Sequence, residues 1–375
     1  MYNKDVLPVV NYLQNYSLEK LTEDFGVKVK DYGQFVVLNY SQIETPKTDP
    51  RWWDCRGLIL EKNTWKVLRR PFSRFFNLGE TFESNSFPFE RSITFSKIDG
   101  SLCPCFFNPY DNRYEAGTRQ MAFGEGTTSF GTSFRQLFLD GGFNGYEDAF
   151  QEAMTYLNTT FPGMTWIFEM TSPETRVVTP YTEKNIWFLA ARHNLTGQYL
   201  MAGAIKDYLL DIIPTLKFPE EYHFSNPQDC VKAANDLPNL EEGYVVYDPV
   251  TQNRVKIKSA IYVAIHHIHD NGAASPKRIM SLILENEHEE YLAYFPEDSD
   301  TFAPYIRKFE ELKVWIHNTY EDIKGIESQK NFALEACKTP FSGILFEMRG
   351  KKMTIMECLK KMHIDKLVEI VTILK

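Results

Sequence analysis

No stretch of this sequence stays apolar for long. The longest clean apolar run, Ile186–Ala191, falls far short of the ~20 residues that span a bilayer. The opening MYNKDVLPVV lacks the basic and long apolar regions of a signal peptide. These absences predict a cytoplasmic protein with no membrane partner. Cysteine is scarce: the six residues are Cys55, Cys103, Cys105, Cys230, Cys337 and Cys358, with no paired CxxC. That excludes a zinc ribbon, and scattered thiols read as reduced ones. Positive charge is not in excess, since 41 Lys and Arg against 50 Asp and Glu give a net charge of −9. A histone-like DNA coat is thereby excluded, although a local basic groove is not. The glycine-rich GEGTTSFG (124–131) lacks the Gly-Lys-Ser/Thr ending of a phosphate-binding P-loop and reads as a flexible loop. No internal repeat or low-complexity tract is present.

What remains is an ordinary globular composition, 43% hydrophobic and 24% charged over 375 residues, a length that suggests two domains. The 28 Phe, 20 Tyr and 6 Trp residues serve either large cores or base-stacking surfaces. Residues 1–30 read as helical, with Val6, Val9, Val10 and Leu13 at helical spacing. Strand-like runs then recur at 34–40, 57–60, 65–68, 92–95, 102–107, 166–169, 186–191, 243–247 and 254–257, separated by turn residues. Helical patterns interrupt at 133–139, 145–157 and 226–234. The texture changes near Ser259, after which 277–296, 302–326, 328–338, 351–363 and 365–374 read as amphipathic helices. The expected organisation is α+β with antiparallel pairing over residues 1–262, followed by an all-helical domain over 263–375, with DNGAASP (270–276) as a loop or linker.

The sharpest chemical feature is SKIDGSL (96–102), where Lys97 ends a strand-like run and Asp99-Gly100 turns the chain. A free lysine is only roughly 0.04% neutral at pH 7. A nucleophilic one therefore needs burial or neighbouring cations to lower its pKa. Arg56, Arg70, Arg74, Arg119, Lys256 and Lys258 are the cations on offer. Lys256 and Lys258 alternate by two and so share one face of a strand. Around Lys97 lie WWDCRGLIL (52–60), RRPFSRFFNLGE (69–80), WIFEMTSPETRVV (166–178), IWFLAAR (186–192), EEGYVVYD (241–248) and VKIKS (255–259), apolar runs that each carry one or two charges. Repeated in this way, the charges point to one pocket in a sheet.

In this order the pieces resemble the motifs of the covalent nucleotidyltransferases, the ATP-dependent DNA and RNA ligases and mRNA capping enzymes. DCRG, RPFxRFFNLGE, EGYVV, KIKS and a helical tail are similar to the phage RNA ligase 1 family over roughly residues 35–260. The resemblance implies an antiparallel-sheet adenylyltransferase domain and an ATP-dependent RNA ligase. In such an enzyme Lys97 attacks the α-phosphate of ATP to give lysyl–AMP. The adenylate then passes to an RNA 5′-phosphate, and an RNA 3′-hydroxyl finally expels AMP. It assigns Arg56, Arg74, Lys256 and Lys258 to the phosphates, Glu169 to the ribose, and Glu242, with Asp99 joining it, to Mg²⁺ or Mn²⁺. Glu241 competes for the metal role. Glu242 is chosen because it directly precedes Gly-Tyr-Val-Val, and alternation puts Glu241 on the other side. Phe188, or Trp187 beside it, is assigned to the adenine or else to plain core packing. Arg74 stands where the family usually has lysine, which keeps the charge but cannot deprotonate. Arg119 is the cation available for a further basic position. The implied substrate is RNA with 5′-phosphate and 3′-hydroxyl ends, by analogy a tRNA nicked in its anticodon loop during phage infection, and the expected state is a monomer in the host cytoplasm.

Three other features carry less. His266, His267 and His269 do not line one helix face and read as domain-junction residues rather than zinc ligands. Cys103 and Cys105 alternate on one face and read as packing. Lys308, Lys313, Trp315 and Lys351–Lys352 in the tail suit either RNA contact or the bundle's own core. A DNA ligase or capping guanylyltransferase would carry a β-rich domain in place of the helical tail. A non-catalytic RNA-binding scaffold on the same fold would be expected to have lost Lys97, an acid or a cation.

Overall fold

In the computed structural model, residues 6–41, 45–128, 130–238, 240–268, 275–285, 288, 292, 296–351 and 353–373 are described. The chain divides into two compact units, Met1–Val263 and Ala264–Lys375. The first unit carries fourteen strands among its described residues: β1 Lys28–Asp31, β2 Phe35–Asn39, β3 Arg56–Glu61, β4 Val67–Arg69, β5 Phe76–Asn77, β6 Ile93–Ser96, β7 Ser101–Asn108, β8 Arg113–Ala116, β9 Met164–Thr171, β10 Asn185–His193, β11 Tyr199–Leu200, β12 Glu221–Tyr222, β13 Gly243–Tyr247 and β14 Arg254–Lys258. They form three sheets in the orders β1-β2-β3-β4, β12-β6-β13-β14-β5 and β11-β10-β9-β7-β8. Pairing is antiparallel except for the two-residue contact of β14 with β5.

Alternation decides what each strand buries. On β9, Trp166, Phe168 and Met170 point into a core with Cys103, Cys105 and Phe188, which the helices Phe134–Gly142, Glu147–Thr160 and Ala202–Ile212 cover. The opposite face of that sheet carries Ile167, Leu102 and Ala190 against Phe72 and Phe75, and Glu169, level with Leu102 and Trp187 in the strand register. On β13 and β14, Tyr244, Val246, Val255 and Ile257 pack on Phe89 and the helix Pro227–Asn235. Lys256 and Lys258 lie on the other face. Each of these two sheets thus has one helix-covered face and one face without a helix. The faces without a helix meet at Phe72 and Phe75, over which Arg254 and Lys256 of β14 lie. The first sheet packs on its own core, where Val9, Val10, Leu13 and Leu21 of two N-terminal helices meet Trp52 and Leu58.

Some expectations shift. The helical reading of residues 1–30 holds for Pro8–Leu13 and Leu18–Phe25; Gly26 then caps the second helix in the left-handed conformation and β1 begins at Lys28, while residues 1–5 lie outside the described residues. The helix Ala202–Ile212 and the short strands β1, β5, β8, β11 and β12 were not anticipated. The second unit is helical throughout its described residues: Pro276–Glu285, Ser299–Ile323, Gln329–Ala336, Ser342–Lys351, Ile355–Lys361 and Ile364–Ile373, with one 3-10 turn at Pro296–Asp298. Of these Ser342–Lys351 was not expected. A reciprocal cap between Thr354 and Glu357 sets the start of the fifth. His269, Lys352 and most of the expected 270–276 linker lie outside the described residues. No helix among the described residues is long and apolar enough to cross a membrane.

Candidate active site

Lys97 follows the last residue of β6, and its backbone N–H donates to the Gly243 carbonyl at 2.8 Å, which fixes it beside the start of β13. The next residues turn tightly onto β9. A Cβ on Gly100 would stand 2.4 Å from the Met170 carbonyl oxygen and 3.0 Å from Glu169 Cγ, so only glycine fits there. Glu242, just before β13, is 4% exposed. Its two carboxylate oxygens meet Lys97 Nζ at 2.6 Å and Lys258 Nζ at 2.8 Å. Four strands from distant parts of the sequence therefore bring Lys97, Glu242, Lys258 and Glu169 to one spot.

The charges act on each other strongly. Burial works against the Lys97 ammonium, but the Glu242 carboxylate, with Glu169 and Asp99 behind it, outweighs that and holds Lys97 above the ordinary lysine range. This reverses the sequence expectation of a lowered pKa, because the groups nearest Lys97 are acids and not the cations counted along the chain. Burial alone would raise Glu242; Lys97 and Lys258 hold it below the usual carboxylate range instead. Among the described residues Glu169 has no hydrogen-bonding or ionic partner. Burial, only partly offset by Lys97 and reinforced by Glu242, pushes its carboxyl up to about 8. Lys256 moves the other way: burial and the neighbouring Lys97, Lys258 and Arg56 bring its ammonium down to about 8.

Arg56, Arg74, Arg119 and Lys256 complete the cluster, and none has a carboxylate partner among the described residues. Arg56 lies over Phe75 at 5.7 Å, as does Lys256 at 5.4 Å. Arg74 and Arg119 share the Tyr40 ring at 4.3 and 4.7 Å. Burial, against Tyr40 but with Arg56 and Arg74 close by, lowers the pKa of Arg119. Arg56 Nη1 and Arg119 Nε are buried without an acceptor. Unpaired buried cations gathered this closely are unfavourable unless an anion joins them. The cluster has the donor geometry and charge to hold a polyphosphate.

Three expected residues stand elsewhere. Asp99 does not face Glu242 as a metal ligand. Its Oδ2 accepts the Val178 and Thr179 N–H groups at 2.9 and 2.8 Å, and its Oδ1 accepts the Tyr262 hydroxyl at 2.6 Å. It braces the Lys97 turn, because the neighbouring backbone supplies donors that a sequence does not display. Phe188 is fully buried among Trp166, Phe168 and Phe218, on the helix-covered face, so it packs the core. Trp187 is level with Glu169 and donates to Thr171 Oγ1 at 3.0 Å, which leaves it as the aromatic on the Glu169 face. Arg70 is tied to Asp54 at 2.9 Å; Asp54 also meets Arg192 at 2.7 Å and Ser73 Oγ at 2.7 Å, so this network locks the DCRG and RPFSRFF segments together. Tyr40, Phe75 and Tyr262 were missed, since nothing in an isolated aromatic residue signals a cation above it or a carboxylate beneath it. Among the described residues no group of three or more His, Cys, Asp or Glu is disposed to hold a metal ion. The donor set at hand, the Glu242 carboxylate beside a polyphosphate site, suits a hard divalent cation that takes the rest of its ligands from phosphate and water.

The chain is similar to several known proteins. A family model described as RNA ligase matches residues 54–262. A protein of Autographa californica nuclear polyhedrosis virus, described as a bifunctional polynucleotide kinase/RNA ligase, is 34% identical over 318 residues that cover 80% of this chain and 43% of its own length. The chain thus spans under half of that relative. The RNA ligase of Rhodothermus phage RM378 is 24% identical over 73% of each chain. Among solved structures, an archaeal ATP-dependent RNA ligase is 15% identical, with a TM-score of 0.44 over 91% of this chain and 77% of that one.

Proposed function

The chain belongs to the RNA ligase family, and we propose on that premise that it is an ATP-dependent ligase of RNA 5′-phosphate and 3′-hydroxyl ends, with Lys97 as its nucleophile. The observation that carries the reading is the Lys97–Glu242–Lys258 chain of contacts at 2.6 and 2.8 Å, flanked by four cations without acid partners. In the first step Lys97 Nζ bonds to the α-phosphorus of ATP, the α–β bridging bond breaks, and pyrophosphate leaves. Arg56, Arg74, Lys256 and Lys258 neutralise the charge that moves onto the leaving group, which is the main demand of phosphoryl-type transfer. Arg119 stands by Arg74 to share that load. The unpaired Glu169 carboxyl, protonated below about pH 8, is placed to hydrogen-bond a ribose hydroxyl. In the second step an RNA 5′-phosphate oxygen displaces Lys97 from the phosphorus. In the third an RNA 3′-oxygen attacks the RNA phosphate and AMP departs.

Lys97 must lose a proton before it attacks. A divalent cation, Mg²⁺ by resemblance, would be held by Glu242 and the ATP phosphates and would supply charge neutralisation there. Glu242 engaged in that way would no longer hold the proton on Lys97, whose other charged neighbours include Lys256. Within this reading a tRNA nicked in its anticodon loop is the substrate, and the helical unit selects it.

Incubation with α-labelled ATP and Mg²⁺, a denaturing gel and peptide mapping test the assignment. Acid-labile label on Lys97, absent from a folded Lys97→Ala variant, is the expected result. Persistent labelling of that variant at another residue overturns it.

A further inference from the structure

A cavity of about 390 Å³ adjoins the phosphate cluster and shares Arg74 and Phe75 with it. Its lining includes four arginines, Arg70, Arg74, Arg192 and Arg254, against a single acid, Glu83. Arg70 and Arg192 divide one carboxylate, Asp54, between them. Arg254 has none. Its guanidinium lies over the rings of Tyr199, Tyr247 and Phe72 at 4.0, 4.5 and 4.6 Å, and its polar contacts are with neutral groups, the Gln252 carbonyl and the Met201 sulfur at 3.4 Å each and the Tyr199 hydroxyl. Anions are what such a wall attracts, and the aromatic rings among the arginines suit bases.

Position along β14 narrows the ligand. Arg254, Lys256 and Lys258 alternate on one face, so the row spans about 13 Å from end to end. A triphosphate whose α-phosphate sits at Lys97, beside Lys258, uses the first two cations of the row; a third at its far end suits a longer chain of phosphates. In-line transfer supplies the direction. Attacking and leaving groups stand on opposite sides of the phosphorus. Pyrophosphate therefore leaves opposite Lys97, and the RNA 5′-phosphate that later displaces Lys97 enters from the side that pyrophosphate vacated. That side carries Lys256 and leads on to Arg254.

We propose that this cavity binds the 5′-phosphate-bearing RNA strand, its first internucleotide phosphates on Arg254 and its neighbouring bases against Phe75 and Tyr199. The proposal rests on the ligase reading above and deepens it. Phosphate of ATP and phosphate of RNA are chemically alike, so the test separates them by step. It compares wild type with Arg254→Ala and with Asn253→Glu, an exposed position lining the same cavity where an acid opposes phosphate without disturbing the Arg254 ring contacts. Enzyme preloaded with AMP is mixed with single-stranded 5′-phosphate RNA or with a nucleoside 3′,5′-bisphosphate, and ATP dependence of labelling is measured separately. Both variants should require about tenfold more 5′-phosphate oligonucleotide for half-maximal transfer, the size of one lost charged contact. The bisphosphate should show a smaller defect and ATP dependence should move less than twofold. Unchanged RNA dependence in either variant overturns the proposal. So does a defect that falls on ATP instead. Failure of the wild-type protein itself to form lysyl–AMP would sink the ligase reading and not merely the cavity's assignment.

Discussion

If Lys97 is the nucleophile proposed above, the carboxylate nearest to it stabilises the protonated form that cannot attack. Burial opposes that charge and Glu242 restores it. The free enzyme should therefore form lysyl–AMP faster as pH rises and the neutral amine becomes populated. Glu242→Gln removes the anion and should displace the profile at low ATP toward lower pH, while the rate falls by about 10²-fold or more through loss of a group that acts on the transferring phosphate. Single-turnover labelling across pH measures both effects, and an unshifted profile would contradict the pairing as the control of Lys97. Glu169 has a signature in stability. Its pKa is raised from the ordinary 4.5 to about 8 in the folded chain, so the folded state binds the proton more tightly than the unfolded one. The stabilisation is complete below about pH 4.5 and is lost as pH climbs through about 8. Glu169→Gln should consequently raise the melting temperature at pH 8.5 relative to wild type, and much less at pH 4.5. A few degrees is the expected size, since ~1 kcal/mol moves a midpoint by about 2–4 °C in domains of roughly 150–250 residues and by less in larger ones. An equal effect at both pH values would mean that Glu169 is ionised throughout.

At the level of elements, the site depends on where β13 begins. Gly243 adopts φ +135°, and a Cβ there would stand 2.1 Å from the Ile257 carbonyl oxygen of β14 and 2.8 Å from Lys258 Cα. The residue before it is Glu242 and the residue opposite it is Lys258, so any displacement moves both partners of Lys97 at once. Gly243→Ala should lower the rate of lysyl–AMP formation by about 10²-fold, as displacements near 1 Å do, and should destabilise the chain by about 1–3 kcal/mol through backbone strain. Denaturant melts together with labelling kinetics test this; a variant that labels at the wild-type rate would show that the strand junction tolerates movement. Elements like β13 and β14 were legible in the sequence because GYVVY and RVKIK combine β-branched runs with alternation. The two-residue strands β5, β11 and β12 were not, because a pair that short carries no period. The helix Ser342–Lys351 escaped because its apolar residues Ile344, Leu345 and Phe346 run consecutively instead of at helical spacing. Phe188 and Trp187 could not be separated for a related reason: neighbours on a strand face opposite ways, and which one faces the site follows from the pairing of Trp187 with Glu169. The motifs revealed which charges the site contains, but the dominance of Glu242 over the cations around Lys97 exists only once β6, β13 and β14 are paired.

For the whole molecule, the division at Val263 and Ala264 sets Lys97, the acids, the cation cluster and the arginine-lined cavity within one unit. The other unit contains none of them. Charge and aromatic residues there are nonetheless exposed: Trp315 is 40% exposed on the helix Ser299–Ile323, and Lys308 and Lys338 lie on solvent-facing surfaces. Under the proposed function that unit chooses the RNA and the first carries out the chemistry. A chain ending after Ile268 keeps the helix Ala260–Ile268 whole, and with it Tyr262, whose hydroxyl braces Asp99 at 2.6 Å; a cut before residue 262 would remove that brace and confuse a folding effect with a catalytic one. If near-UV circular dichroism shows this shortened chain to be folded, it should form lysyl–AMP at a rate within about threefold of full length, because every group invoked to bind ATP or to move charge is retained. It should join a plain single-stranded 5′-phosphate RNA at a comparable rate and lose most of its advantage on a nicked stem-loop. Loss of labelling in the folded short chain would place part of the nucleotide site beyond Ile268. Equal loss on both RNAs with labelling intact would make the helical unit a general participant in end joining, since a specificity element must by definition discriminate between them.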